Sequence, residues 1–535
     1  VQRSLWLARL PRRLYTAAQV RELDRQAVED CGIPGIELMS RAAAALLAHV
    51  QTRWPQVRRL LVFTGSGNNA GDGYLLAALA CAEGLRADVI EIGDKAKLGA
   101  DASSAREHAL TSGAICEAHG MQAGLLERDI NADTVVVDAL LGIGLRGALR
   151  PAYKHAVQFM NALTVPLVAV DLPSGLCPDT GAVEDEAVRA TLTVCFIALK
   201  QGLLTAQGPE HAGEIVVEDL AIPQRVLTGP VAASPASVRI DIHTESPLLQ
   251  PRPLGAHKGH DGHVLVIGGD TGFGGAALMA AEAACRAGAG TVSLLTRAAH
   301  VDAALARRPE IMVQALETLE GGDWQGLERR VQSAGAVVIG PGLGRSAWSS
   351  LLLQKVLTAA GNRTPLVLDA DALNLLSANV QERQAMTPQG THLLGVRQRQ
   401  WVLTPHPGEA ARMLGVSTED IQRNRFDSVR QLQRQWGGVC LLKGIGSLVC
   451  HDSAGTQEVA LCTEGNPGMA SGGMGDVLSG LVGALLAQGL AAPAALRLAV
   501  CLHGEAADLA AAQDGERGLL ATDLLPHVRH LINRR

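Results

Sequence analysis

LLVFTGSGNNAGDGYLLAALACAEG, residues 60–84, reads as a strand, a glycine-rich turn and a helix in direct succession. Leu60–Thr64 is a short apolar run, GSGNNAGDG (65–73) supplies the turn, and an Ala/Leu helix is expected from Tyr74. The same grammar recurs downstream. Val89–Ile92, Thr134–Asp138 (TVVVD) and Leu167–Asp171 (LVAVD) are the next strands, at spacings that leave room for helices. Strands alternating with helices predict an α/β fold, a mostly parallel sheet covered on both faces in three αβα layers.

The pattern lapses from Thr228 to Gly255, which carries five prolines and no long helical period. This stretch is the expected linker, giving domains at 1–227 and 228–535. Beyond it the alternation restarts. Val264–Ile267 runs into GGDTGFGG, with a helix expected over Ala276–Ala287. Val337–Ile339 runs into GPGLG, Leu366–Leu368 into DADALN, Val402–Leu403 into TPHPGE and Val439–Leu442 into KGIGS. Open α/β sheets bind ligands at the carboxyl ends of their strands, where these loops fall.

Size and composition narrow the classes. A chain of 535 residues is too long for one core. Hydrophobic residues at 47% and charged residues at 19% are globular values. Aromatics at 3% and a net charge of −6 argue against a nucleic-acid platform. Ten scattered cysteines without a Cys-x-x-Cys pair argue against zinc and a disulfide framework, and predict a reducing cytoplasm. No nucleophile signature surrounds any of them. The Arg-rich start, Val1–Tyr15, reads as a frayed tail rather than a transit peptide, and Arg9, Arg12 and Arg13 break its apolar run. Val477–Leu496 is uncharged and long enough to span a bilayer, but Ser479, Gln488, Pro493 and three glycines make a buried helix and exit turn the better reading.

Two groups of loops carry chemistry. In the first half, the glycine turn lets backbone N–H groups approach an anion at a helix start. Asn68, Asn69 and Asp72 add amides and a carboxylate there. Asp138 opens DALLGIGLRG and Asp171 opens DLPSG. Either Asp alone is an ordinary cap or turn former. Asn69, Asp138 and Ser174 together look like a monovalent-cation site with oxygen ligands. Arg146 either meets a ligand phosphate or is a solvated loop charge. In the second half, NPGMASGGMGDVLSG (466–480) runs glycines into an apolar helix starting near Val477. N–H groups at that start can stabilise a transferring phosphoryl group, and Asp476 can accept a proton from an attacking hydroxyl. KGIGS offers Lys443 and backbone amides to a nucleotide phosphate, or is a plain turn. His406, between two prolines, is either structural or a ligand contact. Asp369 and Asp371 suit magnesium water shells or capping of the next helix.

GSGNNAGDG, VVDALLGIGLRG and VAVDLPSG resemble the motif set of the NAD(P)H-hydrate epimerase family, over Tyr15 to Leu227. That resemblance implies a Rossmann-like domain that binds K+ and interconverts the R and S forms of hydrated NADH or NADPH. It implies hydrate contacts from Asn68, Asn69, Ala70, Gly71 and Asp72. Gly142, Ile143, Gly144, Leu145, Arg146, Gly147, Ala148 and Asp171 would complete that site, and Asn69, Asp138 and Ser174 would hold potassium. Asp171 is the expected base. The family usually has Gly at position 70; if that position needs positive φ, Ala70 is strained.

HKGHDGHVLVIGG (257–269), GPGLG, DADALN, TPHPGE, KGIGS and NPGMASGGMGD resemble the ribokinase-like superfamily, in particular its ADP-dependent NAD(P)H-hydrate dehydratases, over Leu248 to Asn533. This resemblance implies hydrate contacts from Ala276, Gly344 and His406. Lys443, Gly444, Ile445, Gly446, Ser447 and Gly475 would bind the adenine nucleotide, and Asp476 would act at the hydrate hydroxyl. Ser447 stands where Thr is common, and keeps the hydroxyl. ADP is implied as phosphoryl donor, with Mg2+ in this domain. The expected partners are the hydrates and ADP, with no nucleic acid and no membrane, and the expected assembly is a homo-oligomer. Two other readings are a small-molecule kinase with an accessory domain, and a non-catalytic N-terminal sensing or oligomerisation module. TPHPGE with GGMGD weighs against the first; intact Asn69, Asp138 and Asp171 weigh against the second.

Overall fold

Leu60, Leu61, Val62 and Phe63 are all buried, so the strand that carries them needs cover on both faces. In the computed structural model, which describes residues 6–118, 130–144, 147–317, 323–386 and 400–533, it lies inside a parallel sheet. The expected site residues Leu145 and Arg146 lie outside the described residues. The chain divides into two compact units, Gln2–Val238 and Arg239–Arg535.

The N-terminal unit opens with helix α1 (Ala17–Arg25). Its sheet contains β1 (Arg59–Thr64), β2 (Arg86–Glu91), β3 (Ile115–Ala118), β4 (Thr134–Ala139), β5 (Leu167–Val170), β6 (Leu192–Phe196) and β7 (Glu214–Glu218). The order is β3-β2-β1-β4-β5-β6-β7, and every pair is parallel. The order reverses between β1 and β4, where an open sheet forms its ligand crevice. Helix α2 (Asn68–Ala82) starts inside the glycine motif, six positions before the expected Tyr74. The first-turn N–H groups need no intrahelical partner, so Asn and Gly are tolerated there. Gly73 also brings the helix close to the sheet: a Cβ on it would sit 2.6 Å from the Cβ of Ala139. Ala70 is buried within α2 and is not among the residues with positive φ, so the strain considered for it does not arise.

The expected linker is ordered. It contains helix Pro230–Ala233, strand Ser237–Ile240 and helix Ile242–Glu245. Its Pro230 opens a short helix instead of breaking structure. Ile240 and Ile242 are buried in the core of the C-terminal unit, so the division falls after Val238 and later than Leu227.

The C-terminal sheet contains β8 (His263–Ile267), β9 (Thr291–Thr296), β10 (Met312–Ala315), β11 (Ala336–Ile339), β12 (Leu366–Leu368), β13 (Trp401–Leu403), β14 (Val439–Leu442), β15 (Ser447–Ser453) and β16 (Thr456–Cys462). Their order is β16-β15-β14-β13-β12-β11-β8-β9-β10, parallel except at β14-β15 and β15-β16. The helices that matter for the site are α3 (Gly274–Arg286), α4 (Ala370–Met386), α5 (Pro407–Leu414), α6 (Arg425–Trp436), α7 (Met474–Ala487) and α8 (Ala492–Asp514). The uncharged stretch after Asp476 is the body of buried α7, then a turn into α8. Among the described residues no helix is long and apolar enough to cross a membrane.

Helix α7 is pressed against α3. A Cβ on Gly480 would lie 2.1 Å from the carbonyl oxygen of Ala280, a backbone atom that cannot swing away. Gly480→Ala should destabilise the C-terminal unit by about 1–3 kcal/mol through overpacking. Thermal unfolding measured against the unaltered chain checks this; an equal melting temperature would mean the helices separate freely.

Candidate active sites

Asp138 ends β4 with its side chain fully buried. Its Oδ1 accepts from Ser174 Oγ at 2.6 Å and from the Leu140 N–H at 3.2 Å, and its Oδ2 accepts from the Ser174 N–H at 2.7 Å. Burial pushes this carboxyl up to about 6, against the lowering effect of those bonds. Ser174 Oγ also accepts from the Leu141 N–H at 2.9 Å. Asn69, in the first turn of α2, lies beside the loop after β4: a Cβ on Gly142 would be 3.4 Å from Asn69 Oδ1. Among the described residues, Asn69 Nδ2 and Ser66 Oγ are buried without a hydrogen-bond partner. Orphaned polar atoms at a crevice mark a place for a polar guest, since each costs ~1–3 kcal/mol if left so.

Asp171 follows β5 with φ of 66°, the left-handed region that costs an ordinary side chain energy. Its Oδ1 accepts from the Phe196 N–H at 3.0 Å and from the ammonium of buried Lys200. Asp24 on α1 and Asp72 on α2 feel the charge of Asp171. Burial first, then those neighbouring carboxylates, holds Asp72 well above the usual carboxylate range. Asp24 is raised by burial and by Asp171, with Lys200 opposing.

In the C-terminal unit Asp476 sits in the first turn of α7, whose cap is Gly473 at φ 91°. The Asp476 carboxyl is pushed up to about 7 by burial and then by Asp369, Asp371 and Glu409, with Lys443 opposing. Lys443 Nζ lies 3.0 Å from Asp369 Oδ1 and 3.8 Å from Glu409 Oε2. Burial works to lower the ammonium, yet Asp369 and Glu409 hold it above its ordinary value. Asp369 also accepts from Thr404 Oγ1 at 2.8 Å on Oδ1 and from Ser479 Oγ at 2.8 Å on Oδ2. It is thus the centre of a buried network, which neither reading of the Asp369/Asp371 pair anticipated. Asp371 Oδ2 accepts from the Gly344 N–H at 2.9 Å, tying the loop after β11 to α4. A Cβ on Gly475 would sit 3.3 Å from Lys443 Nζ, so the helix start and the lysine face one space. A Cβ on Gly342 would come 3.1 Å from the Cβ of Ala276, so the loop after β11 also closes on the start of α3.

His406 caps α5. Its Nδ1 accepts from the N–H groups of Gly408 at 3.0 Å and Glu409 at 3.4 Å, and Glu409 Oε2 accepts from the His406 N–H at 2.8 Å. Burial, then the charges of Lys443 and Arg412, lowers its basicity, and the side chain is half-exposed. The loop between β14 and β15 is held from below by buried Arg425 of α6. Its Nη2 donates to the carbonyls of Leu442 at 3.2 Å and Lys443 at 3.1 Å. Ser447 Oγ donates to the Gly444 carbonyl at 3.0 Å.

Several of these groups escaped the sequence reading. Lys200 lies just past the end of β6, an unread strand whose end falls in line with the others. Ser479 and Glu409 stood inside quoted motifs. Asp24 and Arg425 carry no local signal, because only packing makes a buried charge unusual.

Two α/β units, each with carboxylates gathered at strand ends and the second pairing a partly buried lysine with a glycine-lined helix start, define a two-site enzyme for small phosphorylated ligands. The YjeF-related protein N-terminus family matches residues 35–202, and the NAD(P)H-hydrate dehydratase family matches residues 264–529. The chain is 43% identical to the bifunctional NAD(P)H-hydrate repair enzyme Nnr of Coxiella burnetii, covering 97% of this chain and 99% of that one. It is 39% identical to Nnr of Escherichia coli K12, covering 98% and 95%. An ADP/ATP-dependent NAD(P)H-hydrate dehydratase from Bacillus subtilis, co-crystallised with ATP and Mg2+, is 27% identical with a TM-score of 0.45, covering 54% of this chain and 95% of that one. The chain belongs to the family of bifunctional NAD(P)H-hydrate repair enzymes.

Proposed function

We propose that the chain repairs hydrated NADH and NADPH: the N-terminal unit interconverts the R and S hydrates, and the C-terminal unit dehydrates the S form at the expense of ADP. The observation that carries the second half is Asp476, a carboxyl near 7 in the first turn of α7, facing Lys443. Such a group is poised to take a proton at neutral pH. Asp476 takes the proton of the hydrate hydroxyl, and that oxygen attacks the β-phosphorus of ADP. The bond to the α-phosphate oxygen breaks and AMP leaves. The ring-nitrogen lone pair then expels phosphate, and loss of a proton from the neighbouring ring carbon restores the dihydronicotinamide. Phosphorylation is needed because hydroxide leaves poorly. In this reading Lys443, Gly444, Ile445, Gly446, Ser447 and Gly475 hold the nucleotide, and Ala276, Gly344 and His406 contact the hydrate. The phosphate charge of the nucleotide would be offset by Mg2+ bound with it.

In the N-terminal unit the hydrated carbon is a hemiaminal. Asp171 takes its hydroxyl proton and passes it to the ring nitrogen as the C–N bond opens, and closure on the other face reverses the transfer and inverts the centre. Asn68–Asp72, Gly142–Gly144, Gly147 and Ala148 line the hydrate site. Asn69, Asp138 and Ser174 present hard oxygens to potassium, which supplies a fixed positive charge for the ligand when bound. In this reading the fusion lets an S-specific dehydratase recover the R form. All ten cysteines are free, in keeping with a cytoplasmic setting.

The test mixes both hydrates with ADP, Mg2+ and K+ and follows reduced-nicotinamide absorbance. Complete recovery of both epimers is expected. Recovery stalled near half, with the R form left, would remove the epimerase. A second experiment probes the nucleotide loop. Arg425→Ala should raise the KM for ADP by about tenfold with a smaller change in kcat, because it releases the carbonyls that shape residues 442–446. An unchanged KM would separate that loop from the nucleotide.

A further inference from the structure

Among the described residues, Asp171 is gripped on one side only. Lys200 Nζ and the Phe196 N–H both reach Oδ1, and the Asp171 N–H donates to the Val194 carbonyl at 2.9 Å. Oδ2 carries none of these bonds, and the side chain keeps 12% exposure, while Lys200 has none. Lys200 is itself fixed, donating to the Phe196 carbonyl at 2.9 Å and lying 3.5 Å from Cys195 Sγ. Burying an ammonium under a carboxylate seldom adds stability over an apolar pair, so its presence here asks for a reason. The surroundings supply one. The titratable groups that bear on Asp171 are Asp24, Asp72, Cys195 and Lys200. Three carboxyls in one crevice cannot all ionise cheaply, because like charges favour sharing protons.

We propose that Lys200 is a positioning residue of the epimerase reaction: by holding Oδ1 of Asp171 it assigns the negative charge to Asp171 rather than to Asp24 or Asp72, and turns Oδ2 toward the hydrate. The proton then moves from the hydrate hydroxyl through Oδ2 to the ring nitrogen as the ring opens and retraces that path when it closes, with no net change at Lys200. The inference rests on Asp171 being the base.

The test uses the full chain, with dehydration of the S hydrate as the activity standard; because the N-terminal unit has its own core, its own melting transition reports that this unit is folded. Lys200→Met and Lys200→Ala should slow R–S interconversion by about 100-fold or more, leaving dehydration within about twofold. Methylammonium should return at least about tenfold of the loss in Lys200→Ala by refilling the ammonium site. Lys200→Arg, which keeps the cation, should retain more activity than Lys200→Met, with the acid limb of its pH profile close to that of the unaltered chain. Wild-type interconversion in Lys200→Met, alongside an inactive Asp171→Asn, overturns the inference; an active Asp171→Asn overturns the base reading beneath it. A folded Lys200→Ala that stays slow in methylammonium, with Lys200→Arg equally slow, shows a merely structural lysine and also overturns it. If the neutral variants fail to fold, Lys200→Arg decides alone: a folded protein without interconversion counts against the proposal.

Discussion

Asp476→Asn should all but stop dehydration of the S hydrate, lowering kcat by about 100- to 10,000-fold while R–S interconversion continues. The carboxamide keeps the shape of the side chain in the first turn of α7 but accepts no proton. A rate within a few-fold of the unaltered chain would show that another group activates the hydroxyl. The same carboxyl sets a pH dependence. Dehydration in the unaltered chain should climb as pH rises through about 7, where the base becomes free. Stability should move the other way. A folded-state value raised from 3.8 to about 7 means the native protein binds the extra proton, so the stability this contributes is complete below 3.8 and lost as pH rises through about 7. Asp476→Asn removes that dependence. It should therefore melt above the unaltered chain at pH 8, by on the order of 1 kcal/mol or more, and show no such advantage near pH 4. Melting curves at both pH values read this directly.

Asp171→Asn should abolish R–S interconversion, by about 100-fold or more, and leave S-specific dehydration intact. Asparagine is the informative replacement. At φ 66° it tolerates the left-handed backbone that alanine would resist, so the bend after β5 survives. It still accepts from the Phe196 N–H, but it leaves the Lys200 ammonium without its counter-charge. Some loss of stability in the N-terminal unit is expected, because breaking a buried pair costs about 3–5 kcal/mol. The assay therefore starts from an epimer mixture and follows both forms by chromatography, with dehydration as the internal standard. Rapid depletion of the S form with the R form stranded is the expected picture. Full consumption of both would place the base elsewhere.

Much of this was readable from the chain. The runs LLVFT, TVVVD, LVAVD and LVL alternate with helical stretches, and each emerges as a buried strand whose exit loop carries a quoted residue. Glycine and aspartate at strand ends are local signals, visible because each is the wrong residue for a strand interior. Other elements were missed for physical reasons. Met312–Ala315 is mostly exposed and lacks the apolar run of a central strand. The hairpin Ser447–Cys462 mixes polar residues into both strands, since half of it lies near solvent. The start of α2 was misplaced because glycine and asparagine disfavour helix interiors, whereas the first two turns, with Gly73 against Ala139, reward small residues.

By itself the sequence determined the two α/β units and marked Asp138, Asp171 and Asp476 near strand ends and a helix start, since these follow from short-range periodicity and motif spacing. Only the tertiary structure decided which charges face one another: Lys200 beneath Asp171, Asp369 bonded to Lys443 and Ser479, and Arg425 under residues 442–443. Electrostatic pairing and burial depend on distance in space, and residues as far apart in the chain as Asp369 and Ser479 meet only once the sheet has folded.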